Sequence, residues 1–247
     1  MRLCALLFSV LLSLSVQAAD FRAQQLAVLR VKKAYEQSRA KVQQLFEAKG
    51  LAFPPRGIFL RVFKLDRQME LWGRGEDGRY VLVKQYPVCA SSGDLGPKRQ
   101  EGDGQVPEGF YTVSVFNPRS NYHLSLGIDY PNASDRARGQ GKLGGAIMIH
   151  GDCVTIGCVP ITDELIEEVY IAAVEARAAG QARIEAHFLP GRLDADGWKR
   201  LQAQPAVTKA MLDFWQELRP GFESFEQSRR VPVVRVDKQG RYSVTSQ

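Results

Sequence analysis

The stretch that most constrains this chain is Ala146–Pro160, AIMIHGDCVTIGCVP. Ala146–Ile149 reads as a short apolar strand that ends in His150-Gly151. A tight segment then leads to Gly157-Cys158, and a helix follows from Thr162. One histidine and two cysteines therefore fall within nine residues, at the rim of a core element. Three chemistries fit such a cluster. His150 could serve as base to a Cys158 thiolate, with Gly157 allowing a sharp bend and nearby main-chain N–H groups facing an oxyanion. A zinc clip would use His150, Cys153 and Cys158, with His123 or His187 as fourth ligand. A Cys153–Cys158 disulfide would remove the nucleophile.

The N-terminus narrows the setting. Arg2 precedes an apolar run from Leu3 to Val16, and small residues up to Ala19 suit signal-peptidase cleavage, so residues 1–19 read as a leader. Cys4 leaves with it. No later run is long and apolar enough to span a bilayer, so no integral membrane segment is expected in the mature chain. The formal net charge of +6 is spread along the chain. That favours an anionic wall or membrane surface and gives no reason to expect nucleic acid as partner. Three cysteines survive in the mature chain, Cys89, Cys153 and Cys158. Their odd number leaves at least one thiol unpaired.

The pattern along the chain is helix, strands, helix, strand, then helices. Asp20–Gly50 reads as one helix, a 20–50 arm that Pro54-Pro55 ends. Strand signals follow at Ile58–Phe63, Gln68–Trp72, Arg79–Lys84, Phe110–Phe116, Tyr122–Ile128 and Ala182–Leu189. Gly73–Gly78 matches a dinucleotide glycine pattern, but it joins two strands with no helix after it, so it reads as a hairpin turn. Cys89–Gly109 is a long polar loop carrying Lys98 and Arg99, of a length more often functional than idle. Tyr130–Gly145 reads as a second loop. Thr162-Asp163-Glu164 opens a helix that Gly180 ends. Beyond Pro190-Gly191 the composition changes: Asp194–Leu218 reads as helical, Pro220-Gly221 as its break, and Val231–Val244 as a terminal hairpin. His187 on the last core strand reads as structural, and His123 as a strand residue with a second reading as a substrate contact. Asp152 is a candidate to orient His150.

Three segments in order, Ser92–Tyr111 (SGDLGPKRQEGDGQVPEGFY), Asn117–Arg136 and Gly144–Asp163, resemble the L,D-transpeptidase catalytic domain, the YkuD family, and within it the periplasmic YafK-like branch. The resemblance implies a mainly β, α+β chain with flanking helices, built on an L,D-transpeptidase-like β-sandwich core at 51–190, with a C-terminal helical extension over 191–247. It implies peptidoglycan stem peptides containing meso-diaminopimelate as substrate, no cofactor or metal, and the periplasm as location. Cys158 is similar to the family nucleophile and His150 to its base, with Gly157 at the oxyanion hole. Lys98, Arg99, His123 and Thr155 are the expected substrate-binding residues. Cys89 and Cys153 fall in the branch's pattern and are expected to pair, leaving Cys158 free. The sequence departs from the common motif: only eight residues separate His150 from Cys158, Thr155 stands at the serine position, Ile156 at the histidine position and Pro160 at the arginine position. The branch association points first to hydrolysis of a crosslink, or of the link between peptidoglycan and an outer-membrane lipoprotein. The alternatives are a transpeptidase that forms such links and a non-catalytic peptidoglycan-binding scaffold.

Overall fold

A computed structural model describes residues 21–245. The expected leader, its cleavage site and Cys4 lie outside the described residues. The strands are β1 (Ile58–Phe63), β2 (Gln68–Arg74), β3 (Tyr80–Pro87), β4 (Gly109–Asn117), β5 (Ser125–Ile128), β6 (Met148–His150), β7 (Val159–Pro160) and β8 (Glu185–Leu189). They form one mixed sheet, ordered β3-β2-β1-β8-β4-β5-β6-β7. The sheet curls between flanking helices, the arrangement expected of an L,D-transpeptidase-like α+β chain. Two pairings are parallel, β1 with β8 and β6 with β7.

Every residue of β1 is buried, because both faces of the sheet are covered. Alternation sends Ile58, Leu60 and Val62 to one side, with Leu71, Phe188 and Ile149. Against that side packs helix α3 (Asp163–Ala178), and α1 (Leu29–Glu47) packs over α3. Beyond its first turn α3 is therefore enclosed nearly all round, and even Glu167, Glu168 and Glu175 are buried. They are matched from outside: Lys41 of α1 and Lys84 of β3 pair with Glu168 at 2.7 and 2.6 Å, and Ser38 donates to Glu167 at 2.7 Å. The arm thus docks on the core. It is not one continuous helix: residues 21–26 are helical, Val28 is extended, and α1 begins at Leu29.

The opposite face of the sheet carries Phe59, Arg61 and Phe63, and α5 (Lys209–Ser228) covers it. A short helix α4 (Ala195–Gln202) precedes α5, and a hairpin of β9 (Val233–Val236) and β10 (Tyr242–Thr245) follows it. Pro220 was expected to break the helix, but α5 runs through it. An interior proline costs about 3 kcal/mol. Phe214, Trp215, Leu218, Phe222 and Phe225 are buried on both sides of it, and each such side chain contributes about 1.5–3 kcal/mol. Gly221 permits the close approach, since a Cβ there would lie 2.5 Å from the Phe110 ring.

The clamp beneath α5 is ionic. Arg61 and Glu70 face each other across β1 and β2, both almost fully buried, at 2.7 Å. Arg61 also reaches Glu226 of α5 at 2.8 Å and lies over the rings of Trp72 and Phe225 at 4.9 and 4.6 Å. Removing one partner of a buried pair leaves a desolvated charge. Glu70→Ala is expected to lower unfolding free energy by about 3–5 kcal/mol, and Arg61→Met/Glu70→Leu to recover most of it. Urea denaturation checks this; a Glu70→Ala loss under about 1 kcal/mol would show that the pair is not a clamp.

Candidate active site

β6 is three residues long, wedged between β5 (Leu126↔Ile149, antiparallel) and β7 (Ile149↔Val159 and His150↔Pro160, parallel). Ile149 and Val159 enter the core. Strand alternation then turns Met148 and His150 to the other face, and Cys158, one residue before Val159, to that same face. The sulfur is level with Met148, lying 3.7 Å from the Ala146 carbonyl. His150 follows one side-chain repeat further along β6. The pairing of β6 with β7 thus places both residues on one face.

The chain between them is held by short-range bonds. Gly151 donates its N–H to the carbonyls of Tyr122 and Leu124 at 3.1 and 3.2 Å, and a Cβ there would meet Asp163 at 2.4 Å. Asp152 donates its N–H to Asp163 Oδ1 at 2.8 Å. Cys153 is joined to Cys89 in a disulfide, and Cys158 is free. Both the zinc clip and the Cys153–Cys158 pairing lose the Cys153 sulfur for that reason.

Thr155 closes the turn before Cys158. Its Oγ1 accepts the N–H groups of Gly157 at 3.1 Å and Cys158 at 2.8 Å, and its hydroxyl donates to the Cys158 carbonyl at 2.8 Å. Gly157 has φ +134°, which favours glycine. The N–H groups expected at an oxyanion hole are thus held by a side chain that the sequence suggested would face substrate. Ile156 is 90% exposed.

The ionisation states follow from burial and partners. His150 is 2% exposed, its ring against Tyr122 at a centroid distance of 4.7 Å. Nδ1 lies 2.5 Å from the Gly151 carbonyl, which can only accept, so Nδ1 carries the proton and Nε2 presents a lone pair. Burial lowers the His150 pKa, opposed by the Gly151 carbonyl and by Asp152. Burial raises that of Cys158, opposed by the Met148 N–H and by Lys98. At neutral pH the resting pair is thiol and neutral imidazole.

Lys98 is 5% exposed, bound to Asp103 at 2.6 Å, and its charge bears on the Cys158 sulfur. It is a buried loop cation near the thiol. Arg99 instead pairs with Asp135 at 3.2 Å and lies 5.0 Å from the Phe214 ring centroid. His123 is not on a strand, since β5 begins at Ser125. It adopts φ +63°, and its Nε2 lies 2.9 Å from Glu167, beside the α1–α3 groove. Its carbonyl and that of Ser120 accept from Arg30, which pins the turn. His123 is thus held by acids of α3, and no contact brings it to the thiol among the described residues.

Three acids near the site have no role in the sequence analysis. Asp103 gathers the Lys98 ammonium and the N–H groups of Arg99, Gln100 and Gln105. Burial alone would raise its pKa, but these donors bring it below the usual value. Asp135 is pushed up to about 6, chiefly by burial, although the Asn132 N–H, Tyr111 and Arg99 favour its charged form. Glu108, inside the quoted PEGFY run, is fully buried. Each acid sits beside glycine in the loop or beside an asparagine cap, a signal available in the sequence.

Residues 59–177 match the YkuD L,D-transpeptidase catalytic domain. The chain is also 38% identical over 192 residues to YafK of Escherichia coli K12, itself named as a candidate L,D-transpeptidase, covering 76% of this chain and 74% of that protein. The chain belongs to the YkuD family of L,D-transpeptidase catalytic domains, enzymes of the peptidoglycan cell wall, and within it is close to YafK. Two solved structures also resemble it. The helical cell shape determining protein Pgp2 of Campylobacter jejuni is 17% identical with TM-score 0.44, covering 74% of this chain and 73% of that one. Bd1075 of Bdellovibrio bacteriovorus is 20% identical with TM-score 0.39, covering 69% and 57%.

Two measurements follow from this geometry. Iodoacetamide alkylation of Cys158 is expected to rise with pH through a midpoint above about 8.5, the value of an ordinary cysteine. A rate already level below pH 7 would mean a preformed thiolate–imidazolium pair. Thr155→Val, which keeps shape but removes the hydroxyl, is expected to cost about 1–3 kcal/mol of stability, with Thr155→Ser close to wild type. Equal denaturation midpoints for all three chains would show that the turn does not depend on Thr155.

Proposed function

We propose that this protein is a cysteine-dependent L,D-transpeptidase acting on peptidoglycan stem peptides through a thioester. The observation that carries the reading is the placement of an unpaired thiol and a buried imidazole, with its Nε2 lone pair free, on one face of β6 and β7. In the proposed reaction the Cys158 sulfur attacks the carbonyl carbon of a peptide bond next to meso-diaminopimelate. His150 Nε2 takes the thiol proton as the C–S bond forms. His150⁺ then gives that proton to the departing amine, leaving a Cys158 thioester. An acceptor amine attacks the thioester, His150 receives its proton, and the thiol is restored with a new amide formed.

A resting imidazole of lowered pKa is neutral and able to accept. A thiol of raised pKa loses its proton only as attack begins, which puts the demand on base and field together. Lys98 supplies part of that field. For the oxyanion to use the N–H groups of Gly157 and Cys158, the Thr155 hydroxyl must yield them. The Cys89–Cys153 disulfide supports an oxidising compartment, in agreement with export to the periplasm.

A second reading has its own observation. Where the common motif carries a histidine, this chain exposes Ile156 at 90%. An isoleucine offers no hydrogen bond to an acceptor amine. Water would then resolve the thioester to a free carboxylate and the thiol, so that the two steps together cleave a crosslink or a peptidoglycan–lipoprotein bond. Both readings share the acyl-enzyme and differ in the acceptor.

Mass analysis of products from crosslinked and lipoprotein-bearing peptidoglycan separates them. Wild type is expected to give larger, transferred products; freed ends without larger products would favour hydrolysis. Cys158→Ala is expected to abolish both, and His150→Ala to lower the rate about 10²–10⁴-fold. If Cys158→Ala and wild type gave identical products, the protein would be a non-catalytic peptidoglycan-binding scaffold.

A further inference from the structure

The C-terminal hairpin does not close down on the sheet. Between β9 and the strands β4 and β8 lies a cavity of about 610 Å³, which neither Cys158 nor His150 lines. Its wall includes His187, Tyr80, Asp129, Glu185, Arg74 and Arg230.

Three features of this cavity point to a ligand. His187 is 2% exposed, held edge-on by Phe59 and Phe110 at centroid distances of 4.6 and 4.7 Å, and its Nδ1 has no hydrogen-bond partner among the described residues. A buried ring nitrogen without a partner carries an uncompensated desolvation penalty, and such orphans call for a function. The second feature is a pair of guanidinium groups. Arg74 donates to the Arg56 carbonyl at 2.6 Å and Arg230 to the Asp77 carbonyl at 2.6 Å, and neither makes an ion pair with a carboxylate among the described residues. Both lie over glycines that give them room. A Cβ on Gly57 would come 3.2 Å from Arg74 Nε, and one on Gly78 would come 2.5 Å from Arg230 Nη1. The third feature is the opposite charge on the wall. Asp129 and Glu185 line the same cavity; Glu185 pairs there with Arg183 at 3.2 Å, which leaves Asp129 as the wall acid without an ion pair among the described residues. Asp129 would repel a polyphosphate, and it suits a ligand that carries an amine beside its carboxylates.

We propose that this cavity is a second, non-catalytic binding site for a short zwitterionic peptide, whose carboxylates meet Arg74 and Arg230 and whose interior polar group reaches His187. The aromatic faces and the valines of β9 enclose the peptide's apolar atoms. The volume suits a few residues, not a folded partner. Burial, then the Arg61 charge, lowers the His187 pKa to about 3, so the ring is neutral and acts as a hydrogen-bonding group and not as a counter-charge. The C-terminal extension then has a role separate from the thiol, that of holding a peptide at a distance from the reaction centre. Identification of that peptide with a peptidoglycan stem rests on the proposed function; the cavity itself does not.

The test is isothermal titration of the full mature chain bearing Cys158→Ala, so that no probe is consumed. One probe is the stem tetrapeptide L-Ala-D-Glu-meso-diaminopimelate-D-Ala; another is all-L Ala-Glu-Lys-Ala; a third is the stem peptide with its carboxylates amidated. Arg74→Gln/Arg230→Gln is expected to weaken binding at least about tenfold. His187→Phe, which keeps the aromatic contacts, is expected to weaken it by about threefold or more. An unchanged alkylation rate of Cys158 in chains carrying only the cavity substitutions shows that they leave the fold and the thiol intact. Binding of the stem peptide alone makes the site specific for peptidoglycan, and binding of both charged peptides makes it a general peptide site. The proposal falls if neither charged peptide binds, if the amidated peptide binds as tightly, or if the cavity variants bind as wild type does. Product analysis with Cys158→Ala is independent of this result, so either reading can fail alone.

Discussion

The loop that covers the thiol depends on one buried carboxylate. Glu108 accepts the Gly96 N–H at 2.8 Å, the Trp215 indole N–H at 2.7 Å and the Lys64 ammonium at 3.0 Å. Those donors come from the loop, from α5 and from the chain just after β1. Lys64 spends its other protons on the carbonyls of Gly96 and Val106, at 2.7 and 2.8 Å. A stretch without regular secondary structure has main-chain polar groups that water normally satisfies. Here buried charges satisfy them, and the loop can lie against the core. Burial nonetheless pulls the Lys64 pKa below its usual value, with Glu108 opposing the shift. The pair therefore fixes loop geometry more than it adds stability, as expected for ions taken out of water.

Fixing that loop has a chemical consequence. The Asp103 cluster holds Lys98 under it, and Lys98 is the cation whose field acts on the Cys158 sulfur. The disulfide from Cys89 to Cys153 then closes the other end, tying the start of the loop to the turn between His150 and Cys158. The thiol is thus framed by covalent, ionic and main-chain constraints that belong to three different segments. Its raised pKa reflects that enclosure. The cost is a smaller thiolate fraction at rest; the gain is a sulfur shielded from indiscriminate oxidation in an oxidising compartment.

The sequence was most legible where one rule acted alone. β1, β2, β4 and α3 follow from periodicity, and the glycines beside His150 and Cys158 mark the turns on which those two residues sit. It misled where tertiary contacts overrode the local signal. Tyr122–Ile128 alternates like a strand, yet Arg30 and the Gly151 N–H bind the carbonyls of Ser120, Tyr122, His123 and Leu124 and turn the first half aside. The helix α2 (Ala133–Arg138) lay unseen inside a supposed loop, although Asn132 and Asp135 form a reciprocal cap that the sequence displays. β7 is two residues long and includes a proline, and only its parallel pairing with β6 defines it. The place of Thr155 in a motif suggests a substrate contact. Its hydroxyl, caught between two N–H groups and a carbonyl, shows that motif position and side-chain direction are separate facts.

The sheet also explains why a single chain carries two unlike concavities. Its α1–α3 face is filled by the side chains of the larger hydrophobic cluster. Its other face is covered by α5 over β1 and β2, where Arg61 and the phenylalanines make the contact, and by a two-stranded hairpin over β4 and β8. A hairpin that short offers little apolar surface to bury. The exposure pattern of β9 alternates between exposed and half-buried, with no residue fully enclosed. Closure there rests on Tyr242, whose ring meets Phe110 at 5.0 Å and whose hydroxyl accepts from Asn132 at 2.9 Å. Gly109, at φ +152°, makes room for that same hydroxyl, which a Cβ would meet at 2.5 Å. Gly109 is adjacent to Glu108, so the residue that anchors the 89–108 loop and the residue that seats the hairpin are neighbours. The hairpin and the loop beside Cys158 are thus anchored at adjacent residues of one strand entry.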